Sequence, residues 1–364
     1  MKSSDERWME EALRLARRGE GLTRPNPPVG AVVVKGGRAI GRGYHRKAGG
    51  PHAEIYALRQ AGVRARGATL YVTLEPCSSW GRTPPCTDAI VAAGIARVVA
   101  ATPDPDPRHR GRGLRILERA GIEVETGVGR VAAGDLLKPF ASRMTRRSPY
   151  VTLKLAESLD GKIADRTRQS KWITGALARK VVQELRRRAD AILVGVGTAA
   201  EDDPSLLPRP ARGRRPYRVI VDSAGRLPLN AKVVRDGLQS QTILAVTARC
   251  PAARRARFRA AGIEVWVLPA KQGRVALGPL MRKLAQHGVL SVLCEGGGDL
   301  AAGLIGTGLV DELVLFVAPL VIGGGGVNAV GGRGWLLKKA PRLRVSEVSQ
   351  MGKDIMVRAL CSRD

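Results

Sequence analysis

Two α/β domains in series are the fold that this chain predicts, and three observations carry the expectation. Strand-like apolar runs alternate with amphipathic helical stretches in both halves, which is the pattern of α/β domains. A basic segment with two prolines, KPFASRMTRRSP (138–149), interrupts the alternation without a period of its own. The length of 364 residues with 44% hydrophobic content is enough for two cores. The boundary is therefore expected near 145–149, giving domains 1–147 and 148–364.

In the first half, residues 5–18 read as an amphipathic helix with Trp8, Ala12 and Leu15 on one face. VGAVVVK (29–35) reads as a strand closed by the turn pair Gly36-Gly37. HAEIYALRQAG (52–62) reads as a helix that stops at Gly62, and ATLYVTLEP (68–76) as a strand stopped by Pro76. A short helix over 86–94 and a strand over 95–102 follow. In the second half, strands are expected at 150–156, 191–195, 217–222, 242–247, 264–268, 289–295 and 312–319, and helices at 175–188, 277–287 and 298–306. Gly323–Gly326 reads as a turn. No period of 20–50 residues repeats, which excludes a solenoid.

Composition narrows the function. No stretch of about 18 uncharged apolar residues occurs, so no spanning helix is expected. The charged N-terminus lacks the apolar core of a signal peptide, and a cytoplasmic location is expected. Five cysteines, an odd number, argue against a disulfide framework. The net charge of +29 comes mostly from Arg spread along the chain. With 4% aromatic residues, stacking platforms for single-stranded nucleic acid are not expected. Such a field still attracts phosphate-bearing small molecules.

The strongest pattern is His52-Ala53-Glu54 followed by Pro76-Cys77 and Cys86. One imidazole and two thiolates suit zinc and leave a fourth position for water, whose pKa the ion lowers. Glu54 stands two residues past the first ligand, where it can shuttle protons without binding metal. Zinc deaminases use H-x-E…P-C-x-x-C. Here eight residues, SSWGRTPP, separate the two cysteines. In the second half, GGGDL follows one strand and GVGT another. Each small-residue turn lets backbone amides approach a phosphate, but neither matches G-x-G-x-x-G, which disfavours a standard dinucleotide fold.

PNPPVGAVVV, GYHRKAGGPHAE, YVTLEPC, GRTPPC and ATPDPDP, with KLAESLDGKIA, SKWITG, ILVGVGTAAEDDPSLLPR and CEGGGDLAAGLI, resemble the bifunctional riboflavin-biosynthesis deaminase/reductases over essentially the whole chain. The resemblance implies a cytidine-deaminase-like domain followed by a dihydrofolate-reductase-like domain. It implies one zinc ion, NADPH, a phosphorylated pyrimidine substrate, no nucleic-acid or membrane partner, and a homodimer or higher oligomer through the reductase half. The first reaction would hydrolyse the 2-amino group of 2,5-diamino-6-ribosylamino-4(3H)-pyrimidinone 5′-phosphate. The second would reduce C1′ of the ribose in the deaminated product to a ribityl chain.

By the same resemblance, Asn26, His45 and Arg82 match substrate contacts in the deaminase. Ala156, Trp172, Thr198, Asp202, Ser223, Gly297, Gly298, Asp299, Leu300, Ala301, Ala302 and Gly303 match cofactor contacts. Lys154, Ser170, Arg186, Leu206, Arg209 and Glu295 match substrate contacts in the reductase, Arg186 and Arg209 as phosphate binders and Lys154 and Glu295 as groups that orient the ribose or donate a proton. Ser79, Asp106 and Leu137 depart from the family pattern at a His and two Asn positions. That leaves open a paralogue acting on a related pyrimidine or with one inactive domain. A nucleic-acid deaminase is the other reading, which the low aromatic content disfavours.

Overall fold

The computed structural model describes residues 3–80, 84–210 and 214–361. The chain divides into two compact units, Met1–Arg147 and Ser148–Asp364.

The first unit contains α1 (Ser4–Arg17), β1 (Gly30–Lys35), β2 (Arg38–Tyr44), α2 (Ala53–Ala61), β3 (Thr69–Val72), α3 (Cys86–Ala92), β4 (Arg97–Ala100), α4 (Arg112–Arg119), β5 (Glu123–Thr126) and α5 (Arg130–Arg146). The sheet order is β2-β1-β3-β4-β5. The β1 pairs are antiparallel, and β3, β4 and β5 run parallel. Val33, Leu70, Val72 and Val98 pack on one face with Ala57, Ile90 and Leu117. Val32, Val34, Tyr71 and Val99 pack on the other with Met9, Leu13 and Ala133. Covering both faces explains the unbroken apolar run of β1. Helix α1 starts in a capping box, with Ser3 Oγ accepting from the Glu6 N–H and Glu6 Oε2 from the Ser3 N–H.

The sequence reading has no elements for α4, β5 and the first half of α5, and two further parts differ from it. Strand β2 was not foreseen, because RAIGRGY has one large aliphatic residue and two glycines. The glycines are there for α2: a Cβ on Gly43 would sit 2.1 Å from the Ala53 carbonyl oxygen, and one on Gly41 2.1 Å from that of Ala57. The segment from 138 was read as patternless, yet residues 138–146 are the second half of α5, with Pro139 inside the helix. Its exposed arginines and few buried positions (Ala133, Leu137 and Ser142) hide the period.

The second unit contains β6 (Tyr150–Ser158), β7 (Lys162–Ala164), α6 (Ala176–Arg188), β8 (Ala191–Gly195), α7 (Val196–Asp202), β9 (Tyr217–Val221), α8 (Lys232–Arg235), β10 (Thr242–Val246), α9 (Ala252–Ala260), β11 (Glu264–Val267), β12 (Ala270–Lys271), β13 (Arg274–Val275), α10 (Leu277–Gln286), β14 (Ser291–Cys294), α11 (Gly298–Gly306), β15 (Glu312–Ala318), β16 (Val327–Asn328), β17 (Leu343–Met351) and β18 (Asp354–Cys361). Nine strands form one sheet in the order β11-β10-β9-β8-β14-β6-β15-β18-β17. It is parallel from β11 to β15 and antiparallel at the β15–β18 and β18–β17 pairs. The C-terminal hairpin β17–β18 was not foreseen: β17 is an edge strand with no buried residue and therefore no apolar alternation. GVGT was read as a loop; the structure starts α7 at Val196, within it. Among the described residues, no helix is long and apolar enough to cross a membrane.

Candidate active sites

In the first unit, His52 occupies the N-cap position of α2 and Cys86 opens α3, while Cys77 lies in the turn beyond β3. Their donor atoms all lie within 4.8 Å of one another. His52 Nδ1 stands 3.2 Å from Cys86 Sγ and 3.4 Å from Cys77 Sγ, and the Cys86 N–H donates to Cys77 Sγ at 3.3 Å. A hydrogen bond from the Cys86 thiol outweighs burial and, with His52, holds the Cys77 thiol down at about 4. The same bond and burial push Cys86 up. One imidazole and two thiols within 4.8 Å of one another are a donor set that fits zinc.

Glu54 lies in the first turn of α2 and is 3% exposed. Burial pushes its carboxyl above the ordinary carboxylate range, against the pull of His52. A cavity of about 330 Å³ next to the cluster is lined by Asn26, His52, Glu75, Cys77, Ser78, Ser79, Asp104 and His109, among others. Asn26 therefore reaches the cavity, as expected from sequence. His45 is buried instead and is not among the lining residues. Its Nε2 lies 3.1 Å from Asn26 Nδ2 and its Nδ1 3.0 Å from the Pro51 carbonyl oxygen. Burial lowers its pKa, which suits a neutral ring that donates from Nδ1 to Pro51 and accepts the Asn26 amide. It holds the side chain that faces the cavity. Arg82 lies outside the described residues.

The three departures fall differently. Ser79 lines the cavity. Asp106 is buried away from it and accepts from the Arg108 backbone N–H at 3.0 Å and from its guanidinium at 2.6 Å. Leu137 is buried on α5.

In the second unit a groove of about 2390 Å³ is lined by every expected cofactor and substrate residue except Ala301, which is fully buried on α11. At the ends of the central strands, Arg186 grips Glu295 with two guanidinium N–H groups, Nη2 to Oε2 at 2.7 Å, and donates a third to the Leu207 carbonyl at 3.2 Å. Burial alone would raise the Glu295 carboxyl; Arg186 and Lys154 hold it below the ordinary range. Burial lowers the Lys154 ammonium, although Glu295 opposes this. Arg186 is thus committed to Glu295, and a phosphate would compete with that carboxylate. Arg209, exposed on the groove, donates its backbone N–H to Gln183 Oε1 at 2.7 Å. Ser170 Oγ donates to Asp202 Oδ1 at 2.9 Å, and Trp172 lies open under the Arg179 guanidinium at 4.7 Å.

The two small-residue turns meet: a Cβ on Gly297 would lie 3.3 Å from Thr198 Oγ1. A Cβ on Gly298 would lie 2.4 Å from the Asn328 carbonyl oxygen. A long groove with side-chain-free turns fits a dinucleotide such as NADPH. The same contact brings in residues that sequence reasoning missed. Asn328, Arg333 and Trp335 line the groove beyond the glycine run read as a plain turn. So do Arg226, Arg249, Lys271 and Arg274. Surface arginines in so basic a chain carry no distinguishing signal.

Two family models match. The RibD C-terminal domain covers residues 149–357, and the cytidine and deoxycytidylate deaminase zinc-binding region covers 2–102. The chain is 43% identical over 356 residues to riboflavin biosynthesis protein RibD of Aquifex aeolicus, covering 97% of each. It is 42% identical over 367 residues to that of Escherichia coli, covering 96% of this chain and 98% of the other. The structure of Acinetobacter baumannii RibD (form 2) superposes with a TM-score of 0.90 at 38% identity and 99% coverage of both chains. A Thermotoga maritima diaminohydroxyphosphoribosylaminopyrimidine deaminase/5-amino-6-(5-phosphoribosylamino)uracil reductase superposes with a TM-score of 0.88 at 36% identity, again covering 99% of both.

Proposed function

Because the chain belongs to the RibD family of bifunctional riboflavin-biosynthesis deaminase/reductases, we propose that it acts on that family's pyrimidine ribose phosphates. Its first unit would hydrolyse the 2-amino group of 2,5-diamino-6-ribosylamino-4(3H)-pyrimidinone 5′-phosphate. Its second would reduce the ribose of 5-amino-6-(5-phosphoribosylamino)uracil. The observation that carries the first step is the buried Glu54 beside the His52–Cys77–Cys86 cluster, whose His52 and Cys77 line the cavity that Asn26, bonded to His45, also lines.

His52, Cys77 and Cys86 would hold one zinc ion, whose chemistry when bound is to acidify water. Asn26 offers both donor and acceptor to a pyrimidine edge. Glu54 takes a proton from the attacking water and delivers it to the departing nitrogen, so that one water is consumed and one ammonia released. The environment of Asp106 supports the family substrate: Arg108 offsets its charge, and it does not face the cavity. Ammonia release and NADPH oxidation, followed separately on the two substrates, test the assignment. No ammonia from the diaminopyrimidine phosphate would rule it out.

In the reductase, NADPH supplies a hydride when bound. Lys154, beside Glu295, supplies the proton that the ribose oxygen needs as the ring opens. Its sign follows from burial: the charge is lost below the ordinary lysine value of 10.5. Reductase turnover should fall as pH rises through that depressed value. Lys154→Arg, whose side chain stays charged and holds its proton, should lose most of the reductase turnover at every pH. Wild-type turnover with an unmoved basic limb in Lys154→Arg would assign both the proton and the limb to another group.

We further propose a homodimer through β17. This edge strand exposes Val345 (57%) and Val348 (64%), and a bare apolar edge invites pairing with a second copy. Sedimentation should show a dimer for the wild type and a monomer for Val345→Lys/Val348→Lys. A monomeric wild type at micromolar concentration would end the idea. The reading places the chain in the cytoplasm, where thiols stay reduced and able to bind metal, and without a nucleic-acid partner.

A further inference from the structure

A single carboxylate joins the turn that carries the first cysteine to the loop after β4. Glu75 lies two residues before Cys77 and is 5% exposed. Its Oε2 accepts the backbone N–H of Asp104 at 2.9 Å and of Gly111 at 2.8 Å, and its Oε1 accepts that of Gly113 at 2.8 Å. The Glu75 N–H in turn donates to the Thr102 carbonyl at 2.9 Å. Behind the carboxylate the backbones touch: a Cβ on Gly113 would lie 2.1 Å from the Pro76 carbonyl oxygen. The loop 102–113 is thus fastened to Glu75-Pro76 at both of its ends. It brings Asp104 and His109 to the cavity that Cys77 and Asn26 also line.

The geometry of the clamp asks for a side chain whose two oxygens both accept. Three N–H donors converge on two oxygens, and a carboxylate is acceptor-only. A glutamine in its place would turn an NH₂ toward at least one of those donors and leave it unpaired.

We propose that Glu75 is a positioning residue of the deaminase. It sets the separation between the metal-binding turn and the loop whose side chains face the ring to be deaminated. Glu75 lies at the wall of that cavity, with its two oxygens accepting three backbone N–H groups. The proposal rests on the deaminase reading above, and the tests are chosen to separate the two.

The full-length zinc protein is compared with Glu75→Gln, Glu75→Asp and Gly113→Ala. A displacement of about 1 Å can lower turnover some 10²-fold. Glu75→Gln and Gly113→Ala should therefore lose deaminase kcat/KM by about that factor, with a rise in KM as part of it. Glu75→Asp keeps the charge on a shorter arm and should recover part of the loss. Zinc should stay at wild-type stoichiometry, the cobalt-substituted spectrum should be unchanged, and the reductase rate should serve as an unaltered control. Amide exchange at Asp104, Gly111 and Gly113 should accelerate in Glu75→Gln while residues 53–61 keep their protection. Wild-type kcat and KM in Glu75→Gln, unchanged exchange in the loop, or loss of zinc in step with activity would each overturn the proposal. A wild-type protein that released no ammonia would overturn the deaminase reading instead, and the exchange result would still decide whether Glu75 is the clamp.

Discussion

Glu54→Gln should lower deaminase turnover by about 10²–10⁴-fold, the usual range for removing a positioned acid–base group. The amide keeps the size of the side chain but cannot accept and release a proton. Zinc content should be unchanged, because Glu54 is not one of the three residues whose donor atoms cluster. Reductase turnover should also be unchanged, because the residues assigned to it lie in the other unit. Ammonia release, metal analysis and NADPH oxidation on one preparation read all three. Wild-type deamination by Glu54→Gln would remove Glu54 from the mechanism.

Arg186→Ala should strike the reductase hardest. The two partners have side-chain exposures of only 15% and 8%. Removing the arginine strands Glu295 and should destabilise the second unit by about 3–5 kcal/mol. The pair also sets a pH dependence. The Glu295 carboxyl is held below its ordinary value of 4.5, so its contribution is present above that value. It is lost as pH falls through the depressed folded pKa. Denaturant unfolding of the second unit at neutral and acid pH measures both effects. Arg186→Met/Glu295→Gln, which removes both charges of the pair but takes the carboxylate away from Lys154, should regain part of the stability without regaining reductase activity. A cost below about 1 kcal/mol for Arg186→Ala would mean that solvent screens the pair.

The chemistry of the first unit was legible because it resides in residue types at element boundaries. A histidine at a helix start, a glutamate in that helix's first turn and two cysteines beyond a strand and at a helix start leave little freedom in what they bind. The long apolar strands were legible for a related reason, since covering both faces of a sheet leaves unbroken runs of Val, Ile and Leu. Strand β2 and the end of α5 were not. In one the residues answer to a neighbouring helix, and in the other solvent faces most of the helix.

By itself, then, the sequence determined the two α/β patterns, the His52, Cys77 and Cys86 donor set, and the family. Those follow from composition and short-range spacing. Only the tertiary structure decided that His45 stands behind Asn26, that Arg186 is committed to Glu295, that Asp106 is matched by Arg108 away from the cavity, and that Glu75 clamps the loop facing the metal site. Which partner satisfies a buried polar group depends on what else is buried beside it. Apart from the local Asp106–Arg108 pair, those partners come from positions 19 to 109 residues apart.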